Sequence, residues 1–114
     1  MKKKFEDAFR GVILGFRDTS IRMQWILAAM ALCAAVVLRL DVYEWLTVIL
    51  CIALVVITET LNTAVEKVCD LYSTAYNEKI QYIKDLCAGA VLLASAAALI
   101  SALVILFRHL GGLV

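Results

Sequence analysis

Proline is absent from these 114 residues, and charge is scarce: 18% of the chain is Asp, Glu, Lys or Arg, against 64% hydrophobic. Without proline, no apolar run is forced to break. The formal net charge of +1 gives no reason to expect electrostatic binding of nucleic acid. The basic start, "MKKKFEDAFRG", lacks the long apolar core and small-residue cleavage site of a signal peptide, so it reads as part of the mature protein. Zinc-ligand spacing is missing too, since no second Cys or His stands near Cys33, Cys51, Cys69 or Cys87. On one helix Cys51 and Cys69 would lie ~27 Å apart, beyond any disulfide. The four cysteines read as apolar filler. A soluble domain of this length cannot hide so much apolar surface. One membrane domain over 1–114 is the expectation.

Phe5, Ala8, Phe9, Val12, Ile13 and Phe16 follow helical spacing, with Lys3, Lys4, Arg10 and Arg17 off that stripe. This pattern predicts an amphipathic helix over about 3–20, lying in the membrane interface. Three apolar runs follow: Trp25–Leu38, Trp45–Thr58 and Leu86–Phe107. They predict spans over about 21–39, 43–72 and 80–108, the last being long enough to cross by itself. The short links "RLDVYE" and "YSTAYNEK" make neighbouring spans antiparallel. Three spans put Lys2, Lys3, Lys4, Arg10, Arg17, Arg22, Lys67, Lys79 and Lys84 on one side, leaving Arg39 and Arg108 opposite. The positive-inside rule then places the N-terminus and second link in the cytoplasm and the tail "RHLGGLV" outside a plasma membrane. His109, in that tail, has no partner in view and reads as a solvated end residue. Ala90, Ala94, Ala98 and Ala102 form a small-residue stripe suited to close helix contact, within or between chains.

The second span runs into "ITETLNTAVEKVCDL". At ~100° per residue, Glu66 and Asp70 fall within about 20° of Glu59, with Asn62 about 60° to one side. Ionisable groups at membrane depth cost roughly 2.5–3.5 kcal/mol each and are usually functional. Emergence of the helix into water accounts well for Asp70 and poorly for Glu59. Glu59 and Glu66 lie ~10.5 Å apart along the axis, too far to share one Mg²⁺ whose ligands sit at ~2.1 Å. The deeper carboxylate suits a base and the shallower one a metal ligand. Across the link, Lys84 beside an acidic cluster suits a phosphate.

The pattern E-x-x-N-[ST]-A-x-E-x-x-x-D, here "ETLNTAVEKVCD", resembles the signature of the small prokaryotic diacylglycerol kinase family, which includes undecaprenol kinases. The Lys84-Asp85 pair followed by "LCAGAVL", and the N-terminal "AFRG", extend the resemblance over about Phe5 to Phe107. It implies an all-α integral membrane fold, an amphipathic surface helix plus three transmembrane helices, assembled as a homotrimer in a bacterial plasma membrane. It implies MgATP-dependent phosphorylation of a membrane lipid alcohol on the cytoplasmic side. Glu59 resembles the general base, Asn62 the orienting asparagine and Glu66 the metal ligand. Asp70, Tyr76, Lys84 and Asp85 match nucleotide-contacting positions, as does Asn77, which replaces a usual histidine. A second metal-binding glutamate, in a pattern like E-x-N-x-R-x-H, corresponds to Asp18 in "DTSIRMQ", with Ser20 and Gln24 in place of the Asn and His. No glycine-rich Walker A loop is present.

"AGAV" after Lys84-Asp85 and "VCDLYS" after Glu66 look closer to the undecaprenol kinase branch, leaving diacylglycerol as the alternative acceptor. A proton-coupled transporter using Glu59 as its relay is a rival of another class, but leaves Asn62, Glu66 and Lys84-Asp85 unexplained. A catalytically inactive membrane protein is a third reading, supported by the altered segment around Asp18.

Overall fold

The computed structural model describes residues 2–111. It contains α1 (Lys2–Gly15), α2 (Thr19–Leu38), α3 (Val42–Tyr72) and α4 (Glu78–Gly111), with no strand among the described residues. As expected from the apolar runs, α2, α3 and α4 are long and apolar enough to cross a membrane. The chain is an all-α membrane protein. Lipid offers backbone groups no hydrogen-bond partners, so spans stay helical throughout. At ~1.5 Å per residue α2 is ~30 Å long and matches the hydrocarbon layer, whereas α3 (~46 Å) and α4 (~51 Å) overrun it. Both overrun into polar residues. Residues 112–114, part of the tail expected outside, lie beyond the described residues.

The amphipathic helix ends at Gly15, short of the expected boundary near residue 20. Phe16, Arg17 and Asp18 donate their N–H groups to carbonyls three residues back, at 3.1, 3.0 and 3.1 Å, and close a tight turn. Asp18 is then extended, which starts α2 afresh. Buried Gly15 lets the turn sit on Ile21, whose Cγ2 is 3.4 Å from where a Cβ would stand. Phe16 stacks on Trp25 with ring centroids 5.7 Å apart. Beyond this elbow, Phe5, Phe9, Val12 and Ile13 remain exposed, an apolar face suited to the membrane interface.

α2 packs on α3, and α3 on α4. Buried Ala28, Ala35 and Ala94 allow the close approach, since lipid provides no hydrophobic drive between helices. Of the alanine stripe on α4, Ala94 is buried, Ala98 and Ala102 border a cavity, and Ala90 is exposed. Ala35, Leu40 and Ile105 form the main apolar cluster, backed by Trp45 and Val48. All four cysteines are free.

Arg39 ends α2 in the left-handed region, at φ 56. Its N–H reaches Val36 at 3.2 Å, and Leu40 N–H reaches Ala35 at 3.3 Å, a closure in which glycine is the usual residue. Asp41 then caps α3. Its Oδ1 accepts from Glu44 N–H at 2.9 Å, and Glu44 Oε1 accepts from Asp41 N–H at 3.0 Å. Glu44 is 4% exposed. It also bonds His109 Nε2, at 2.9 and 3.0 Å to its two oxygens, with Arg108 Nη1 3.6 Å away. His109 therefore has a buried partner, contrary to the solvated role expected from its place in the tail. The N–H of Glu44, helped by Arg108, holds the Asp41 carboxyl below its ordinary range.

Two outcomes follow for stability. Arg39→Gly relieves the left-handed strain and stabilises the fold by about 1 kcal/mol; equilibrium unfolding in mixed micelles measures it. The depressed Asp41 pKa gives stability that is complete above about pH 4 and drains away as pH falls through the folded value. Asp41→Asn keeps the cap and flattens that acid-side loss, read from unfolding between about pH 7 and about pH 3.

Candidate active site

Helix α3 is unbroken from Val42 to Tyr72, so the whole polar stripe sits on one rigid rod. Measured from Trp45, Glu59 lies ~21 Å and Glu66 ~31 Å along the axis. With ~30 Å of hydrocarbon, the first falls inside the layer and the second at its edge. Glu59 is 9% exposed and has no hydrogen-bond partner among the described residues, whereas Glu66 is exposed. Asn62 stands between them and donates through Nδ2 to Glu66 Oε1 at 3.1 Å. Its Oδ1 is buried without a partner among the described residues. A buried acceptor left unpaired is costly, which marks a place where a donor belongs.

The 73–77 link brings α4 back beside the end of α3. Lys84 Nζ lies 3.2 Å from Asp70 Oδ1, so these two sequence-selected residues do meet. Asp85 accepts from Gln81 Nε2 at 2.8 Å on the exposed side of α4. Tyr76 is 80% exposed and open to a ligand. Asn77 is engaged locally, its Oδ1 accepting from the N–H groups of Lys79 and Ile80 at 2.9 and 3.3 Å. This cap explains why α4 begins at Glu78, two residues before the expected start.

Asp18 arrives at the same end from the elbow before α2. Its nearest charge is a residue that sequence reasoning passed over, Lys67, with Nζ 3.4 Å from Asp18 Oδ1. No signal in the chain order links these two, because the angle of the elbow decides their meeting. Glu44 was also missed, although "DVYE" carries the Asp-x-x-Glu spacing of a capping box.

Among the described residues, no three His, Cys, Asp or Glu side chains converge as a ready metal cluster. Mg²⁺ commonly takes one or two carboxylates and completes its shell with water and substrate phosphates. Exposed Glu66 and part-exposed Asp18 fit that donor set. An apolar cavity of about 410 Å³ lies between α2, α3 and α4, bordered by Leu27, Ala28, Cys51 and Ala98 and reaching Val55 and Val56. Its end is thus one helical turn from Glu59.

Comparison with known proteins gives a consistent set of relatives. The family model described as prokaryotic diacylglycerol kinase matches residues 6–106. A diacylglycerol kinase of Synechocystis sp. is 38% identical over 98 residues, covering 84% of this chain and 56% of its own length. The chain thus spans little more than half of that relative. Diacylglycerol kinase of Escherichia coli K12 is 31% identical over 94 residues, 82% of this chain and 77% of its own.

The Asn77 cap makes a local prediction. Asn77→Ala frays the start of α4 and costs about 1 kcal/mol, and Asn77→Asp restores it. Unfolding in micelles, with hydrogen exchange at Lys79 and Ile80, reads both.

Proposed function

The chain belongs to the prokaryotic diacylglycerol kinase family, and from this we propose that it is a lipid kinase, transferring the γ-phosphoryl group of ATP to the hydroxyl of a membrane lipid alcohol. The observation that carries this reading is the α3 stripe: a buried carboxylate at Glu59 and an exposed one at Glu66, joined on one helix by Asn62. A lipid hydroxyl sits at the interface and ATP stays in water, so a site for both must straddle that boundary. The apolar cavity ending near Val55 and Val56 offers room for the lipid chain below Glu59.

In this mechanism the lipid oxygen forms a bond to the γ-phosphorus while the bond to the β–γ bridging oxygen breaks and ADP leaves. Glu59 accepts the hydroxyl proton. Asn62 orients that hydroxyl with its unpartnered Oδ1 and steadies Glu66 with its Nδ2. Glu66 and Asp18 hold Mg²⁺, which supplies positive charge against the phosphate oxygens. Asp70, Tyr76, Asn77, Lys84 and Asp85 receive the nucleotide, with Lys84 turned from Asp70 toward the phosphates. Phosphoryl transfer asks mainly for such positioning and charge.

The acceptor we infer first is diacylglycerol, after the names of the relatives. Undecaprenol is the second, favoured by "AGAV" and "VCDLYS". We place the N-terminus and the active end in the cytoplasm, where ATP is, on the distribution of the eleven Lys and Arg residues. The 1–114 chain acts as one membrane domain in a homotrimer, for which the small-residue face of α4 is a suitable contact. A proton transporter needs Glu59 but leaves the Asn62–Glu66 and Asp70–Lys84 pairs without a role.

Purified protein in mixed micelles, offered both lipids with MgATP, transfers radiolabelled phosphate to at least one. No transfer to either rules out the kinase reading. Glu59→Gln lowers turnover by about 10²–10⁴-fold, the usual worth of a general base, with nucleotide affinity kept. Near-normal turnover in that variant would remove Glu59 from its role.

A further inference from the structure

Asp18 occupies the N-cap position of α2, yet its side chain makes no capping hydrogen bond. Its carboxylate turns instead to Lys67 Nζ at 3.4 Å, with side-chain exposures of 30% for Asp18 and 66% for Lys67. This ion pair ties the elbow to α3. It lies beside the metal position proposed above, because Lys67 directly follows Glu66. An ammonium and a hard divalent cation seek the same carboxylate oxygens, and both cannot sit on them in direct contact. Mg²⁺ requires oxygen at ~2.1 Å in near-octahedral geometry. A lysine needs only charge and a flexible reach.

We propose that Lys67 is a built-in competitor for the divalent cation at Asp18: it holds that carboxylate while the cation is absent and must yield it for the cation to bind. The inference rests on the reading of Glu66 and Asp18 as metal ligands. The pair is exposed, and exposed pairs are weakly held, so the cation displaces the ammonium without a large penalty. Until then Lys67 keeps Asp18 neutralised and the elbow drawn to α3. Lys67 is in this sense a positioning residue. It sets the cation concentration at which the site fills.

The test is Mn²⁺ binding, followed by electron paramagnetic resonance, to the full-length protein in micelles without ATP or lipid substrate. Lys67→Ala binds Mn²⁺ about two- to fivefold more tightly than wild type, the range expected from losing an exposed pair. Lys67→Arg, which keeps the charge, stays near wild type. The decisive comparison repeats Lys67→Ala in an Asp18→Asn background, a double-mutant cycle. A gain that disappears there, through flat affinity or lost binding, supports competition at Asp18. An equal gain in both backgrounds means general electrostatics, and that result overturns the proposal, as does no gain at all. Circular dichroism confirms that the four proteins share one helical content. Wild type and Lys67→Ala both failing to bind Mn²⁺ overturns the metal site together with this inference. Absence of phosphate transfer with the cycle intact overturns only the kinase reading.

Discussion

Backbone hydrogen bonding inside lipid is the constraint on which the rest of this molecule depends. With no water to satisfy N–H and C=O groups, a chain crossing the bilayer stays helical until it leaves the hydrocarbon. Helix α3 obeys this for 31 residues and carries its polar stripe with it. Its periodicity turns chain order into geometry: Glu59, Asn62, Glu66 and Asp70 share a face at set depths. A kink between Glu59 and Glu66 would change both their facing and their separation. The absence of proline removes the commonest cause of one.

Polar groups are treated differently at the two ends of the bundle. At the 39–41 link nearly every acceptor is used. Buried Glu44 is met by a backbone N–H, by His109 and by Arg108, and Asp41 by a backbone N–H and Arg108. At the other end, Glu59 has no partner among the described residues and Asn62 Oδ1 is buried and unmatched. Full satisfaction serves the fold, whereas unmet groups on a rigid element suit ligand recognition.

The four helices and the facing of the stripe were legible because each depends on periodicity within one element. So was the meeting place of Asp70 and Lys84, which needs only a short link between antiparallel spans. The boundaries were less so. The elbow at Phe16–Asp18 depends on a tight turn of backbone bonds that no composition signal announces. Contacts between distant residues were hidden for a different reason. Glu44 and His109 are 65 residues apart, and their pairing depends on how far α4 extends beside the start of α3. Asp18 and Lys67 likewise meet only once the angle between the elbow and α3 is set. Asn77 was read for a ligand while its cap, a local matter, was already written in "NEK".

Helices α3 and α4 are fastened near both ends, by Glu44 with His109 and by Asp70 with Lys84. Sliding one helix past the other by a single turn, ~5.4 Å, would part both fastenings together. Neither can be given up while the other is kept. The two helices therefore have one register. Lys84 stands at a set height against the stripe on α3, and the distance from buried carboxylate to ammonium is gauged by a contact on the opposite side of the bilayer.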